Sequence, residues 1–289
     1  MTSTERRSLG AHTTMLCGED KGKYPWGNPL LIDGSEGRVL IDSALSVEIP
    51  DVDIVLLSHF HEDHTCGLSA RPDLDVRIHP ADLEAVQDLD AFFIEGGYDE
   101  PAFRRELIER YQHGAIPQAR ALTNDPIDLG DVQIVPVHLP GHTAGHCGFM
   151  IEPDGVFFTA DVDLSSFGPF YGDTRASLSD MRESLRRAGE IDAAVYSTYH
   201  HKQEVRDRAT YRSMLAAFAS VIDERASRVL ALLDEPSTAA DLVGRGVVYR
   251  PGKVPTYAAA TEQKMTQMHL DELVAEGQAV VEDGRYSRA

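Results

Sequence analysis

Short apolar runs bounded by turn residues recur through the first two-thirds of the chain, at residues 29–33, 38–42, 53–58, 132–138, 148–151 and 156–160. Each run has the length and the flanking residues of a β-strand. Between them, residues 80–89, 101–111 and 178–188 carry apolar side chains at helical spacing, the last with Arg182, Arg186 and Arg187 on its polar side. Strands and helices alternating in this way predict an α/β layered domain. The triplet Pro153-Asp154-Gly155 predicts a tight hairpin turn, with Asp161 at the end of the strand that follows. Residues 90–115, with Gly96-Gly97-Tyr98 and several aromatics, fit either a cap over a pocket or a surface excursion.

After about residue 205 the pattern changes. Residues 210–233 form a long helical pattern, Thr238 is placed to cap a short helix ending near Gly244, and residues 256–276 predict a third helix closed by Gly277. Residues 278–281, the turn Glu282-Asp283-Gly284 and residues 285–287 predict a terminal β-hairpin. Three helices and a hairpin look like a winged helix. The expected division is an α/β domain over 1–204 and a small winged-helix-like module over 205–289.

The balance of 289 residues, 42% hydrophobic and 26% charged, is that of a globular protein rather than a disordered, collagenous or coiled-coil chain. No stretch approaches the roughly 18 to 20 apolar residues of a membrane span, and the first residues lack the apolar centre of a secretory signal, so a cytoplasmic location is expected. Cys17, Cys66 and Cys147 are too few and too scattered for a disulfide framework. The formal charge is −20, and residues 1–204 hold 16 basic against 35 acidic side chains. Such an excess repels phosphate backbones, which makes nucleic acid an unlikely partner.

The decisive chemistry follows one strand pattern. Val55-Leu56-Leu57-Ser58 runs into His59, His61, Asp63 and His64, an H-x-H-x-D-H cluster. Neutral imidazoles and a carboxylate are natural ligands for zinc and similar divalent ions, and a loop at a strand end can turn alternate side chains inward. Pro140-Gly141-His142-Thr143-Ala144-Gly145-His146 follows a second strand, its glycines allowing close backbone approach to a ligand cluster. Asp161 ends the next strand, and His200-His201 follow another apolar run. Strand-end groups far apart in sequence can converge on one edge of a layered sheet.

This order of motifs resembles the metallo-β-lactamase superfamily, over residues 12 to about 204. The resemblance implies an αββα sandwich with a two-metal site at one edge. It assigns His59, His61 and His142 to the first metal, Asp63, His64 and His200 to the second, and Asp161 to the bridge. The last position departs from the family's usual G-H-G, since Tyr199-His200-His201 stands there; the trailing Lys-Gln-Glu-Val-Arg-Asp favours His200 over His201. The C-terminal region is similar to the winged-helix extension of a hydrolase branch related to glyoxalase II, including Glu276-Gly277 and Asp283 to Tyr286. Its near-zero net charge suits packing or homodimer support better than DNA binding.

Two divalent ions about 3.5 to 4 Å apart can share a water, lower its pKa and present it as a bridging hydroxide. Zinc is the expected ion, with iron and manganese also compatible. Asp63 or a metal-bound water is the expected carrier of the leaving-group proton. His138 and His146 flank the third ligand and fit either structural histidines or groups that orient it, the former preferred, and Cys66 and Cys147 read as packing residues. Phe167, Phe170 and Tyr171 are placed to wall a pocket or to belong to the core, and Arg175 and Lys202 to bind an anionic group or to stay solvated. Within the resemblance, Asp161 argues against a true β-lactamase and His61 against the diiron flavoprotein branch. The expected activity is hydrolysis of a small ester, thioester or lactone, with a ribonuclease or phosphodiesterase, a mono-iron persulfide dioxygenase and a non-catalytic regulator as alternatives.

Overall fold

The computed structural model describes residues 4–255 and 258–289. Among them, seven strands form one sheet in sequence order: β1 (Glu5–Ser8), β2 (Thr13–Cys17), β3 (Leu30–Asp33), β4 (Arg38–Ile41), β5 (Ile54–Leu57), β6 (Asp75–Ile78) and β7 (Arg120–Ala121). A second sheet runs β13-β12-β11-β10-β9-β8, from β8 (Ile127–Asp128), β9 (Gln133–His138), β10 (Cys147–Glu152), β11 (Val156–Phe158), β12 (Val195–Ser197) and β13 (Glu204–Val205).

The two sheets stack, and the alternation of side chains shows why. Leu30 and Ile32 of β3, Ile54 and Leu56 of β5, and Val156 and Phe158 of β11 share the core between the sheets. Leu31, Val55 and Leu57 point the other way, into a core with helices α1 (Leu83–Gln87), α2 (Leu89–Glu95) and α3 (Pro101–Tyr111). Phe157 and Tyr196 point outward from the second sheet, against α4 (Leu178–Ala188), α5 (Arg208–Leu232) and α7 (Ala259–Ala275). Strands buried on both faces read as unbroken apolar runs because each face meets a different core. The layers are therefore helix, sheet, sheet, helix.

The predicted helix at 80–89 is divided. Asp88 is extended and its carboxylate caps α2 by accepting from Ala91 N at 2.8 Å, so α1 stops at Gln87. A capping side chain outweighs helical periodicity at that point. The third C-terminal helix begins at Ala259; Thr256 and Tyr257 lie outside the described residues. Thr238 caps α6 (Ala239–Leu242) through a reciprocal bond with Asp241. The terminal hairpin pairs β14 (Ala279–Glu282) with β15 (Arg285–Arg288).

Helix α5 belongs to two cores. Tyr211, Leu215, Phe218 and Ile222 seal the outer face of the second sheet, while Val229 joins Leu242, Leu270, Leu273 and Ala279 in a small separate cluster. The C-terminal helices thus pack directly onto the sandwich. No helix among the described residues is long and apolar enough to cross a membrane.

Strand direction assembles the site. Strands β4, β5 and β6 are parallel. In the second sheet β10 is antiparallel to both β9 and β11, and β11 is parallel to β12, so β9, β11 and β12 all run the same way. The loops leaving their C-terminal ends share one edge, where the ligand candidates collect.

Candidate metal centre

The first candidate group forms where the loops after β5, β9 and β11 meet. His59 Nε2 lies 2.9 Å from His61 Nδ1 and 3.2 Å from His142 Nε2, and His142 Nε2 lies 3.1 Å from His61 Nδ1. Three imidazole nitrogens facing one point at this spacing lie a few tenths of an ångström inside the roughly 3.4 Å separation expected for nitrogens in a tetrahedron with bonds of about 2.0 to 2.1 Å. The second group joins His64, Asp63 and His200; His200 Nε2 is 3.0 Å from Asp63 Oδ2.

Asp161 serves both groups with different oxygens. Its Oδ2 is 3.4 Å from His142 Nε2 and 3.9 Å from His59 Nε2, whereas Oδ1 is 3.0 Å from His64 Nε2 and 3.7 Å from His200 Nε2. The close approaches in the second group are not hydrogen bonds: Asp63 Oδ2, His64 Nε2 and Asp161 Oδ1 are buried without a hydrogen-bonded partner. Buried polar atoms without partners are costly, and a cation coordinated there satisfies all of them. The donor set of imidazoles and carboxylates therefore fits divalent metal.

The opposite nitrogen of each ring is held. His64 Nδ1–H donates to Asp42 Oδ2 at 2.9 Å, and His61 Nε2–H donates to Asp173 Oδ2, also at 2.9 Å. His142 Nδ1–H donates to the Phe170 carbonyl at 3.0 Å, His200 Nδ1–H to the Gly22 and Trp26 carbonyls at 2.8 Å, and His59 Nδ1–H to Ser58 Oγ at 3.0 Å. Ser58 Oγ in turn donates to Asp42 Oδ2 at 2.8 Å. These bonds fix each tautomer so that the lone pair faces the centre. Tyr199 adds a brace, stacking on the His64 ring with centroids 3.7 Å apart while its hydroxyl donates to the Asp63 carbonyl at 2.6 Å.

Electrostatics agree with the geometry. Burial, followed by the neighbouring imidazoles of His64, His61 and His142, holds His59 well below the ordinary histidine range and keeps its lone pair free. Burial also opposes a charge on His61, but Asp173 outweighs it and lifts His61 to about 9, so an arriving cation displaces a proton there. For Asp161 burial acts upward, and His64 and His200 overcome it to hold the carboxyl well below the usual range.

The structure brings together His59, His61, Asp63, His64, His142, Asp161 and His200. His201, with 31% of its side chain exposed, instead faces Asp163 at 3.6 Å. His138 stacks on His79, outside the cluster, with centroids 4.0 Å apart. His146 accepts the N–H of Asp161 at 3.3 Å, bracing that loop. Cys66 and Cys147 are buried and bond to backbone carbonyls. The glycines of the His142 loop approach other elements rather than the ligands: a Cβ on Gly141, at φ +128°, would lie 2.3 Å from Met181 N, and one on Gly145 would meet the Asp82 carboxyl at 2.6 Å.

A cleft of about 420 Å³ opens over the cluster. Phe167 and Phe170 line it, while Tyr171 is buried behind them and donates to His269 Nε2 at 2.8 Å. Tyr98 and Phe103 also line it, so the 90–115 segment is a wall of the cleft. Arg175 and Lys202 do not line it; Arg175 is paired to Glu95 at 2.7 Å. Asp42, Ser58 and Asp173 escaped the sequence reading. Asp42 follows the β4 run at the shared edge and carried a positional signal, whereas Asp173 sits in a loop with none.

The chain is thus a helix–sheet–sheet–helix sandwich whose histidines and aspartates gather at one sheet edge as a candidate metal centre. The model of the metallo-beta-lactamase superfamily matches residues 27–201, and the chain belongs to that superfamily. It is similar to an N-acyl homoserine lactonase from Azorhizobium caulinodans, 32% identical over 118 residues that cover 40% of this chain and 42% of the relative. It is also similar to a hydroxyacylglutathione hydrolase from Shewanella loihica, 25% identical over 179 residues, 61% of this chain and 58% of the relative. The chain thus spans about half the length of these relatives. A metallo-beta-lactamase family protein from Thermus thermophilus has the same fold, with a TM-score of 0.74 at 21% identity over 98% of this chain and 100% of that one. A beta-lactamase domain protein from Burkholderia ambifaria gives 0.70 at 20% identity, over 100% and 94%.

Proposed function

We propose that the chain hydrolyses a small ester, thioester or lactone at a dinuclear centre, with zinc as the metal. The observation that carries this reading is the Asp161 carboxylate, which turns one oxygen to each ligand group. Divalent ions held there supply Lewis acidity towards a carbonyl oxygen and lower the pKa of water. His59, His61 and His142 would hold the first ion, Asp63, His64 and His200 the second, and Asp161 both.

In the reaction a water oxygen bonds to the acyl carbon and the bond to the leaving oxygen or sulfur breaks. Asp63, which lines the cleft, takes the water proton on its carboxylate and returns it to the leaving group. The products are a carboxylic acid and an alcohol or thiol, joined in one molecule for a lactone. The lactonase and the hydroxyacylglutathione hydrolase among the relatives support carbonyl chemistry of this kind. Glu62, Asp63, Asp161 and Asp163 on the cleft wall disfavour a phosphodiester or RNA backbone.

The test is turnover by the zinc-reconstituted chain on thioesters, lactones, phosphodiesters and single-stranded RNA, beside Asp161→Ala. Hydrolysis of a thioester or lactone, lost by at least about 100-fold in the variant, is expected. Cleavage of RNA alone, or one tightly bound iron with no hydrolysis, would overturn the proposal.

A further inference from the structure

The metal cluster occupies only one end of the cleft, and the remaining wall has a distinct chemistry. Phe170 stands nearest the ligands, its ring 5.8 Å from the His142 ring and 6.3 Å from that of His61. Phe167 lies further along the same loop and pairs with Tyr249 of the C-terminal region, centroids 5.8 Å apart. Tyr98 and Phe103, paired edge to face at 5.3 Å, come from a third part of the chain and line the same cleft.

The Phe167 wall is held in place. Arg225 of α5 is fully buried, donates to the Phe167 carbonyl at 2.6 Å and to the Pro169 carbonyl, and lies 5.2 Å from the Phe167 ring centroid. A buried guanidinium bonded to two carbonyls of one loop fixes that loop's path. Phe167 nevertheless remains 40% exposed, on the cleft side of a loop whose backbone is anchored from behind.

Charge narrows what fits. Asp63 and Asp161 belong to the candidate metal site. Glu62 accepts from Tyr24 at 3.3 Å, and Asp163 accepts from Ser165 N at 2.9 Å. Among the described lining residues Lys23 is the one lysine or arginine. Recognition of a phosphate or a multiply charged carrier uses clustered cations, and the cleft has none among these residues. Its volume of about 420 Å³ suits one small molecule.

We infer that Phe167, Phe170 and Tyr249 form the acyl subsite, and that the preferred substrate carries an uncharged, ring-bearing acyl group such as an arylalkanoyl group. The reacting carbonyl lies at the ligand cluster and the ring stacks along this wall, so the C-terminal region takes part in substrate selection. The inference rests on the hydrolase reading for the position of the carbonyl.

The test uses the full zinc-loaded chain and thioesters of one neutral thiol, N-acetylcysteamine, bearing acetyl or phenylacetyl groups. Burying a phenyl ring against apolar surface predicts a kcat/KM for phenylacetyl at least about 10-fold above that for acetyl. Phe167→Ala and Tyr249→Ala should each lower this ratio several-fold. Phe167→Trp, which keeps a stacking face, should preserve most of it; the ratio is read only from variants that melt as cooperatively as the parent.

Hydrolysis of both thioesters at equal kcat/KM would overturn the acyl subsite while the hydrolase reading stands. If neither thioester reacts, calorimetric binding of phenylacetate and acetate decides the subsite separately. Phenylacetate binding about 10-fold tighter and weakened by Tyr249→Ala supports it, and equal binding overturns it.

Discussion

Asp173 Oδ2 accepts from His61 Nε2 at 2.9 Å, although 112 residues separate the two in the chain. Asp173 is fully buried, and its loop is tied to α2 by Thr174 N donating to the Glu95 carbonyl at 2.7 Å and by the Arg175–Glu95 ion pair. A carboxylate behind a ligating imidazole fixes the ring and strengthens it as a donor, and its removal changes metal affinity by roughly 10- to 100-fold. Asp173→Ala should weaken the first metal site by about that factor, and Asp173→Asn by less. Metal content after dialysis against buffered zinc, together with the visible spectrum of the cobalt-substituted protein, checks it; unchanged spectrum and affinity would remove Asp173 from the site.

His200 and His201 are adjacent, yet only His200 faces Asp63, at 3.0 Å. The fully loaded parent should hold about two ions per chain, His200→Ala about one, and His201→Ala about two. Elemental analysis after gel filtration distinguishes them. A loss confined to His201→Ala would move the ligand assignment by one residue.

Arg225 is a buried cation whose hydrogen-bonding oxygens belong to the Phe167 and Pro169 carbonyls and the Tyr171 hydroxyl. Arg225→Met preserves apolar bulk but strands those buried acceptors, so unfolding stability should fall by about 3 kcal/mol, and Arg225→Lys should fall between. Chemical denaturation of the metal-loaded chain measures it. A loss below about 0.5 kcal/mol would mean the loop carbonyls find water instead.

His269 is buried, and burial, then Arg225 and Arg182, lower its pKa to about 3, with Asp223 acting weakly the other way. The native state thus binds a proton here later than the unfolded chain does, whose histidine titrates near 6.5. Between those values the unfolded state binds more protons, so this group's stability contribution is full above about pH 6.5 and is lost as pH falls towards 3. From pH 7.5 to 5.5 it accounts for about 1.4 kcal/mol of lost stability. In His269→Gln the drop over that interval should be smaller by this amount; an identical drop would show that His269 does not contribute.

Much of the fold was legible locally. The ranges predicted for α3 and α4 match Pro101–Tyr111 and Leu178–Ala188, and the strands bearing the ligand loops lie where apolar runs meet turn residues. The short strands β1, β7 and β8, largely exposed, and the half-buried β13 were not legible, since they exist through pairing with a neighbour; β2 and β6 were missed as well, because polar residues interrupt their apolar positions. Helix α1 ended early because a capping carboxylate, not periodicity, governs Asp88.

Residue order alone carried the ligand chemistry, because histidines and aspartates at strand ends bring their donors wherever the chain takes them, and it carried the alternation of strands and helices, because each has its own apolar period. Folding settles which carboxylate stands behind which ring, that Asp161 turns one oxygen to each group, and that Tyr249 reaches the cleft beside Phe167. Those relations depend on contacts between segments tens to hundreds of residues apart, which local propensity does not encode. They are fixed only when the two sheets and their covering helices close on one another.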